Sequence, residues 1–307
     1  MKIISYLEDA DKILESSVVA LGNFDGVHKG HQELIKTAVD LAKQKGISSV
    51  VFTFSNHPMN VLAGKTVVKN IMDINEKAQV IENLGVDYMV NVQFNDFIRK
   101  SEPEYFVKRF LVKNLKMKHA VCGFNYTFGY KAAGNSDLLR NLGDELGFDV
   151  TIIPEFVVSG DTVSSTRIRK LIAEGNMKEY KDCTGRLYRI EGKVIEGQKL
   201  GRTIGFPTVN LNLLDEYALP LNGVYVTKTY VNNVEYKSVT NVGVKPTVGT
   251  FQKNAETHIF GFNEDLYGQT VKIEFIDMLR PEKKFDNFND LAAQIEQDCL
   301  DAKAYKC

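Results

Sequence analysis

Two histidines three residues apart, His28 and His31, lie in the stretch LGNFDGVHKGHQ at residues 21–32, framed by Gly22, Gly26 and Gly30. A β-rich run precedes this stretch and an amphipathic one follows, so its context reads strand, turn, helix. Glycines permit tight turns and close backbone approach, and the free N–H groups and dipole of a helix N-terminus attract phosphate. Imidazoles so placed can donate to a phosphoryl oxygen. That suits adenylyl transfer, in which one phosphate attacks the α-phosphorus of a nucleotide while positioned donors stabilise the developing charge. The plain alternative is a histidine pair that caps a helix or binds a metal; the glycine framing and the strand-to-helix context favour phosphate chemistry.

Further segments have related capabilities. Residues 163–169 read VSSTRIR, where Ser164, Ser165 and Thr166 offer hydroxyls at a helix start and Arg167 a fork-shaped cation matched to phosphate oxygens. Its alternative is an ordinary N-cap before a basic helix face. TFSNHP at 53–58 follows a strand where an open α/β sheet exposes its ligand-binding edge, so His57 is a candidate nucleotide contact or a loop histidine with a structural hydrogen bond. Residues 192–211, GKVIEGQKLGRTIGFPTVNL, are dense in glycine and can fold over phosphates.

The elements that must position these groups fall into two kinds. From 16 to 156, short β-branched runs (SSVVALGNF, SSVVFTF, DYMVNVQF, HAVCGF, DVTIIPEF) alternate with longer amphipathic stretches, the pattern of a parallel sheet flanked by helices. Between the first two runs, Leu34, Ile35, Ala38, Leu41 and Ala42 recur at helical spacing and Gly46 supplies a stop. A short helix after Thr166, with Ile168, Leu171 and Ile172 on one side, closes this region. From 186 to 279 only short strand-like runs remain (LYRIEGKVI, GVYVTKTYV, VEYKSVTNVGV, ETHIFGF, TVKIEFIDML), which predicts a small antiparallel barrel, and an amphipathic helix over 289–304 packs on it. The expected domains are 1–182 and 183–307.

GNFDGVHKGH resembles the HxGH signature of the nucleotidyltransferase superfamily, in the form found in bacterial bifunctional riboflavin kinase/FAD synthetases. VSSTRIR resembles the SSTxIR motif of the same proteins, and TFSNHP resembles TFxPHP with Asn56 for the first proline. The resemblance implies a Rossmann-like nucleotidyltransferase domain with His28 and His31 catalytic. It assigns ATP contacts to Gly22, Asn23, Phe24, Gly30, His57, Ser164, Ser165, Thr166 and Arg167. GFNYTFGYKAAGN at 123–135 is similar to GxDFxFGxxRxGx and implies flavin contacts from Asn125, Phe128 and Gly129, although Asn125 stands where aspartate is common and Ala132 where arginine is common.

In the second half, 192–211 resembles the riboflavin kinase GxVxxGxxxGRxxGFPTAN motif, with Val209 for alanine, and implies a small β-barrel of riboflavin kinase type. The resemblance assigns ATP or flavin contacts to Gly197, Gly201, Arg202, Gly205, Phe206, Pro207, Asn241, Arg280 and Glu282. It makes Thr208 and Asn210 ligands of Mg²⁺, for which a hydroxyl and an amide oxygen are suitably hard donors. Glu256 becomes the general base toward the riboflavin 5'-hydroxyl. For Arg280 and Glu282 a solvated charged turn is the alternative. The implied reactions are ATP plus riboflavin to FMN plus ADP, then ATP plus FMN to FAD plus pyrophosphate. Other readings are a riboflavin kinase with a weak or silent adenylyltransferase domain, a flavin-sensing protein without turnover, and an adenylyltransferase for another phosphate acceptor, which would leave the second motif set unexplained.

Composition narrows the class. With 307 residues, 44% hydrophobic and 25% charged, the chain reads as a two-domain globular protein. Its net charge of −1 offers no global attraction to nucleic acid, so phosphate chemistry must use local devices. Glu8, Asp9 and Asp11 occupy what would be the basic start of a signal peptide, and no apolar run suits a bilayer. Four cysteines without a CxxC pair suit free thiols. The expectation is a cytoplasmic enzyme with no membrane, nucleic-acid or protein partner.

Overall fold

A computed structural model of the chain describes residues 1–197, 205–247 and 250–306. Two compact units emerge, Met1–Ser165 and Thr166–Cys307.

In the first unit, β1 (Lys2–Ile4), β2 (Ser17–Leu21), β3 (Ser48–Phe54), β4 (Tyr88–Val92), β5 (Met117–Gly123) and β8 (Asp149–Ile153) form one parallel sheet in the order β1-β4-β3-β2-β5-β8. Small pairs of strands, β6 (Thr127–Phe128) with β7 (Gly134–Asn135) and β9 (Val157–Val158) with β10 (Asp161–Thr162), decorate it. Successive residues of the central strands enter opposite cores: Val19, Leu21, Val50, Phe52, Ala120 and Cys122 face one side, Val18, Ala20, Val51 and Val121 the other. A sheet buried on both faces explains why these runs are continuously apolar.

One face is covered by α1 (Leu7–Ile13), the π-helical segment Phe106–Asn114 and α7 (Ser136–Leu146); α2 (Lys29–Lys45) and α4 (Ile74–Glu82) cover the other. Short helices α3 (Pro58–Ala63), α5 (Asp96–Arg99) and α6 (Pro103–Tyr105) occupy loops. The expected stop of α2 is present: Gly46 takes φ 65°, and its N–H closes the last turn on Ala42 and Lys43. From β2 the chain winds toward β3 on one side and from β4 it crosses to β5 on the other, so the β2/β5 boundary is the switch point where doubly wound sheets bind ligands.

The second unit begins with α8 (Ser165–Glu174) in its greater part and α9 (Met177–Thr184), the latter absent from the sequence reading. Helix α9 packs on barrel strands through Tyr180 against Tyr188, ring centroids 5.5 Å apart, and a Lys178–Asp277 ion pair of 2.8 Å. The strands β11 (Tyr188–Lys193), β12 (Val209–Asn212), β13 (Gly223–Val231), β14 (Val234–Thr247), β15 (Thr250–Ile259) and β16 (Thr270–Pro281) run antiparallel in the order β11-β16-β13-β14-β15-β12. Ile195 donates its N–H to the Asn210 carbonyl at 2.9 Å, so the two edge strands nearly close the barrel. Alternation along β13 divides it cleanly. Val224 and Val226 face the C-terminal helix Phe288–Ala304, where Cys299 and Ala302 cover them, whereas Tyr225, Thr227 and Thr229 are fully buried on the other face.

That buried face is partly polar. Thr227, Thr229, Ser238, Thr240 and Thr257, all wholly buried, form a hydroxyl chain across β13, β14 and β15 with every link at 2.8 Å. The three inner hydroxyls, Ser238, Thr227 and Thr240, each make two of these bonds, one as donor and one as acceptor, and Thr229 and Thr257 end the chain with one apiece. Thr240→Val keeps the shape and removes two links; it should lower the unfolding free energy of this unit by about 1–3 kcal/mol in urea titrations.

Candidate active sites

Residues 22–28 connect β2 to α2 through an unusual backbone. Phe24 (φ 47°), Gly26 (φ 79°) and Val27 (φ 31°) all have positive φ, and the two non-glycines are wholly buried. Such conformations cost about 1–3 kcal/mol each and persist only where the surroundings over-determine them. Those surroundings are visible. A Cβ on Gly22 would lie 2.9 Å from the Phe24 ring and one on Gly26 2.8 Å from Ile71. The buried Asp25 carboxylate accepts the Ile71 N–H at 3.0 and 3.3 Å, and Ser165 Oγ donates to the Asp25 carbonyl at 2.8 Å.

His28 N-caps α2, its Nδ1 accepting the His31 N–H at 3.3 Å. The capping role that sequence left open is therefore real, and it fixes the ring: an accepting Nδ1 leaves Nε2 to carry the proton of the neutral imidazole. The two rings stack with centroids 3.6 Å apart at 19°, and His31 meets the Phe24 ring edge at 5.2 Å. A Cβ on Gly30 would crowd Phe156 and the His28 ring at 3.3–3.4 Å. The result is an imidazole pair at the start of a 17-residue helix, at the ligand-bearing edge of the sheet.

Lys77 of α4, which sequence reading did not single out, lies beneath this loop. Only 8% exposed, it donates from Nζ to the Asn23 carbonyl at 2.9 Å and Thr53 Oγ1 at 3.3 Å, and reaches the Phe54 carbonyl at 3.5 Å. Burial pulls its pKa down to about 8, against the attraction of Asp25. Nothing in INEKAQVIE distinguishes this lysine from a solvated one on an amphipathic helix.

His57 N-caps α3, accepting the Met59 N–H at 3.3 Å, and Asn56 holds both polar groups of the Phe94 backbone at 2.7 and 3.1 Å. Ser164 is half-buried at the end of the first unit, while exposed Thr166 and half-buried Arg167 open the second, where Arg167 pairs with Glu179 at 2.6 Å. Asn125 is exposed in the turn after β5. Phe128 points into the core, stacked on Tyr126 and tilted against Phe106. Gly129 (φ 75°) has no room for a Cβ, which would sit 2.7 Å from Pro103, and Lys131 and Ala132 both take positive φ.

In the barrel, Asn210 on β12 faces Glu256 on β15, which in turn faces Asn241 on β14. These side chains share one face of the sheet. Buried Asn254 links them, its Nδ2 lying 3.3 Å from Glu256 Oε1 and 3.5 Å from Asn210 Oδ1. A Cβ on Gly197 would fall 2.3 Å from the Asn210 amide, so any side chain there would push that amide from its place. Gly201 and Arg202 lie outside the described residues. Gly205 (φ 83°) precedes Phe206 and Pro207; the Pro207 carbonyl accepts from His258 Nδ1 at 2.8 Å. His258, to which the sequence assigned no role, has its pKa lowered by burial, with the Pro207 bond opposing. Thr208 lines a cavity of about 250 Å³ with Pro207, Val209, Thr257, Asp265 and Tyr267. Glu282 accepts from Asn222 at 3.0 Å, whereas Arg280 is engaged in a bidentate pair with Asp298 of the C-terminal helix at 2.9 and 2.7 Å.

A doubly wound unit with a histidine pair at a helix start, followed by a small barrel with an Asn–Glu–Asn row, defines a two-unit nucleotide-using protein. Comparison with known proteins makes this specific. The FAD synthetase family profile matches residues 10–167 and the riboflavin kinase profile residues 184–306. Proteins named bifunctional riboflavin kinase/FMN adenylyltransferase are similar over nearly their whole length. The one from Listeria monocytogenes is 38% identical, covering 94% of this chain and 92% of the relative. The one from Haemophilus influenzae is 34% identical, covering 99% of both. The chain belongs to this bifunctional family. A crystal structure described as a macrolide-efflux protein from Streptococcus pneumoniae has the same fold, with a TM-score of 0.91, 32% identity and 100% of both chains covered. In the present chain no helix among the described residues is long and apolar enough to cross a membrane.

Lys77 also makes a pH prediction. Its folded pKa of about 8 lies below the ordinary lysine value of 10.5, so the folded chain releases this proton first. Stability of the first unit should therefore gain up to about 3 kcal/mol from this group as pH rises from about 8 to 10.5. Urea unfolding of Lys77→Met across that window should lack this gain.

Proposed function

We infer that the chain makes FAD from riboflavin in two ATP-dependent steps. In the barrel, the riboflavin 5'-hydroxyl attacks the γ-phosphorus of ATP, its proton passes to Glu256, and ADP leaves with FMN as product. In the doubly wound unit, a phosphate oxygen of FMN attacks the α-phosphorus of a second ATP, and pyrophosphate leaves as FAD forms. No covalent enzyme intermediate is needed; catalysis there is positioning and charge stabilisation by His28, His31 and the start of α2. The observation that carries this reading is the presence of both family matches in one chain, in the order of the two motif sets.

Both reactions call for a divalent metal, which we propose is Mg²⁺. Thr208 and Asn210 suit it: both offer hard oxygen donors, Thr208 borders the 250 Å³ cavity, and Gly197 leaves the Asn210 amide room. Bound there, Mg²⁺ would neutralise charge on the ATP phosphates.

The remaining assignments follow the resemblance. Gly22, Asn23, Phe24, Gly30, His57, Ser164, Ser165, Thr166 and Arg167 are proposed to surround ATP in adenylylation, with Asn125, Phe128 and Gly129 shaping the flavin side. Gly197, Gly201, Arg202, Gly205, Phe206, Pro207, Asn241, Arg280 and Glu282 are proposed to serve the kinase. For Phe128 and Arg280, their core and ion-pair contacts favour an indirect role in shaping the sites. The functional boundary is proposed at 182/183 and the working compartment as the cytoplasm, where buried free Cys122, Cys183 and Cys299 would stay reduced. A second reading, a riboflavin kinase with feeble adenylylation, is favoured by Asn125 and Ala132, which remove a carboxylate and a bidentate cation that the family commonly has there.

Separate substitutions test the division of labour. Glu256→Ala should abolish FMN formation while sparing FAD formation from supplied FMN, and His31→Ala should do the reverse; loss of both activities in either folded variant contradicts the assignment. Asn210→Ala should raise the Mg²⁺ concentration for half-maximal FMN formation by about tenfold or more, read from metal titrations of the kinase rate.

A further inference from the structure

We propose that Lys77 is a positioning residue for adenylyl transfer: its buried ammonium ties the end of β3 to the loop that presents His28 and His31. This rests on the functional reading above.

Its three acceptors belong to two strand ends. Asn23 follows β2, and Thr53 and Phe54 end β3. Thr53 Oγ1, itself wholly buried, donates to the Asn23 carbonyl at 2.9 Å, so hydroxyl and ammonium converge on one oxygen. An ammonium has three protons to donate, and three oxygens receive them. Asn23 immediately precedes Phe24, the first of the three positive-φ residues, so fixing its carbonyl fixes where that turn begins. The far end of the turn is held separately, by Asp25 on Ile71 and Ser165 on Asp25.

A purely structural post would not need a charge. Burying an ammonium costs several kcal/mol, and a well-packed apolar side chain of similar volume is often neutral or stabilising in such a place. The cation is kept beneath the edge of the sheet where a polyphosphate would lie, and its partners are dipoles, so its charge is offset chiefly by Asp25. Lys77 itself is buried, and it acts through the backbone.

The test uses the full-length chain. In Lys77→Met, kcat for FAD formation from supplied FMN should fall about 30- to 100-fold with KM for FMN within about threefold, as expected when reacting groups are misplaced by an ångström or so. FMN formation from riboflavin should be unchanged. Amides in peptides spanning residues 21–32 should exchange with deuterium about tenfold faster, since the loop loses a tether. Lys77→Arg, which keeps charge and donors, should recover most of the kcat. If Lys77→Met does not fold, Thr53→Val carries the test: it removes the shared hydroxyl at constant shape and should lower kcat several-fold with faster exchange in the same peptides. Wild-type kcat in folded Lys77→Met, or unchanged exchange at 21–32, overturns the proposal; so does a Thr53→Val protein with wild-type kcat and exchange. If the wild-type chain makes no FAD from FMN, the functional reading fails, and the exchange measurement still decides for or against Lys77.

Discussion

A chain of net charge −1 that uses ATP twice cannot rely on a broad basic surface, so each anion site must be built locally from fixed dipoles and a few donors. In the first unit this requirement falls on residues 22–28, the seven between the end of β2 and the start of α2. They must turn the chain sharply enough to aim a helix N-terminus at the ligand edge. Two non-glycine residues at positive φ are the cost, and it is offset by buried packing of Phe24 and Val27, the Asp25–Ile71 bonds and the Lys77 tether. The parallel sheet, buried on both faces, supplies the rigid frame without which those contacts could not hold a strained turn.

The barrel meets the same requirement differently. Its working residues lie on regular strands, where the period of two and the antiparallel register bring Asn210, Glu256 and Asn241 side by side from segments far apart in sequence. Precision then depends on the register of β12, β14 and β15, and that of β14 and β15 is held from inside by the hydroxyl chain running through Thr227, Thr240 and Thr257. Hydrogen bonds between side chains pin strand positions more specifically than apolar contacts of equal volume would.

Much of this was legible in the sequence because it is local. The run SSVVFTF became β3 residue for residue, Gly46 stops α2, and His28 lies where a helix must begin. What escaped was either short, polar or non-local. Strand β12 is four residues of VNLN, too brief for a period to register, and α9, MKEYKDCT, has few apolar residues although Tyr180 and Cys183 are deeply buried. Lys77, Asn254 and His258 gain their significance only from neighbours distant in the chain: Asn23, Asn210 and Pro207. Arg280 has a partner that its motif context did not suggest: Asp298, eighteen positions later, holds its guanidinium in a half-buried bidentate pair.

Both steps fall to one chain. The most direct measurement is chromatographic separation of the products after purified protein is incubated with riboflavin, excess ATP and Mg²⁺. FMN should appear first and then be converted to FAD with pyrophosphate released. FMN that accumulates without any FAD would contradict it, and would direct attention to Asn125 and Ala132 in the flavin-side loop of the first unit.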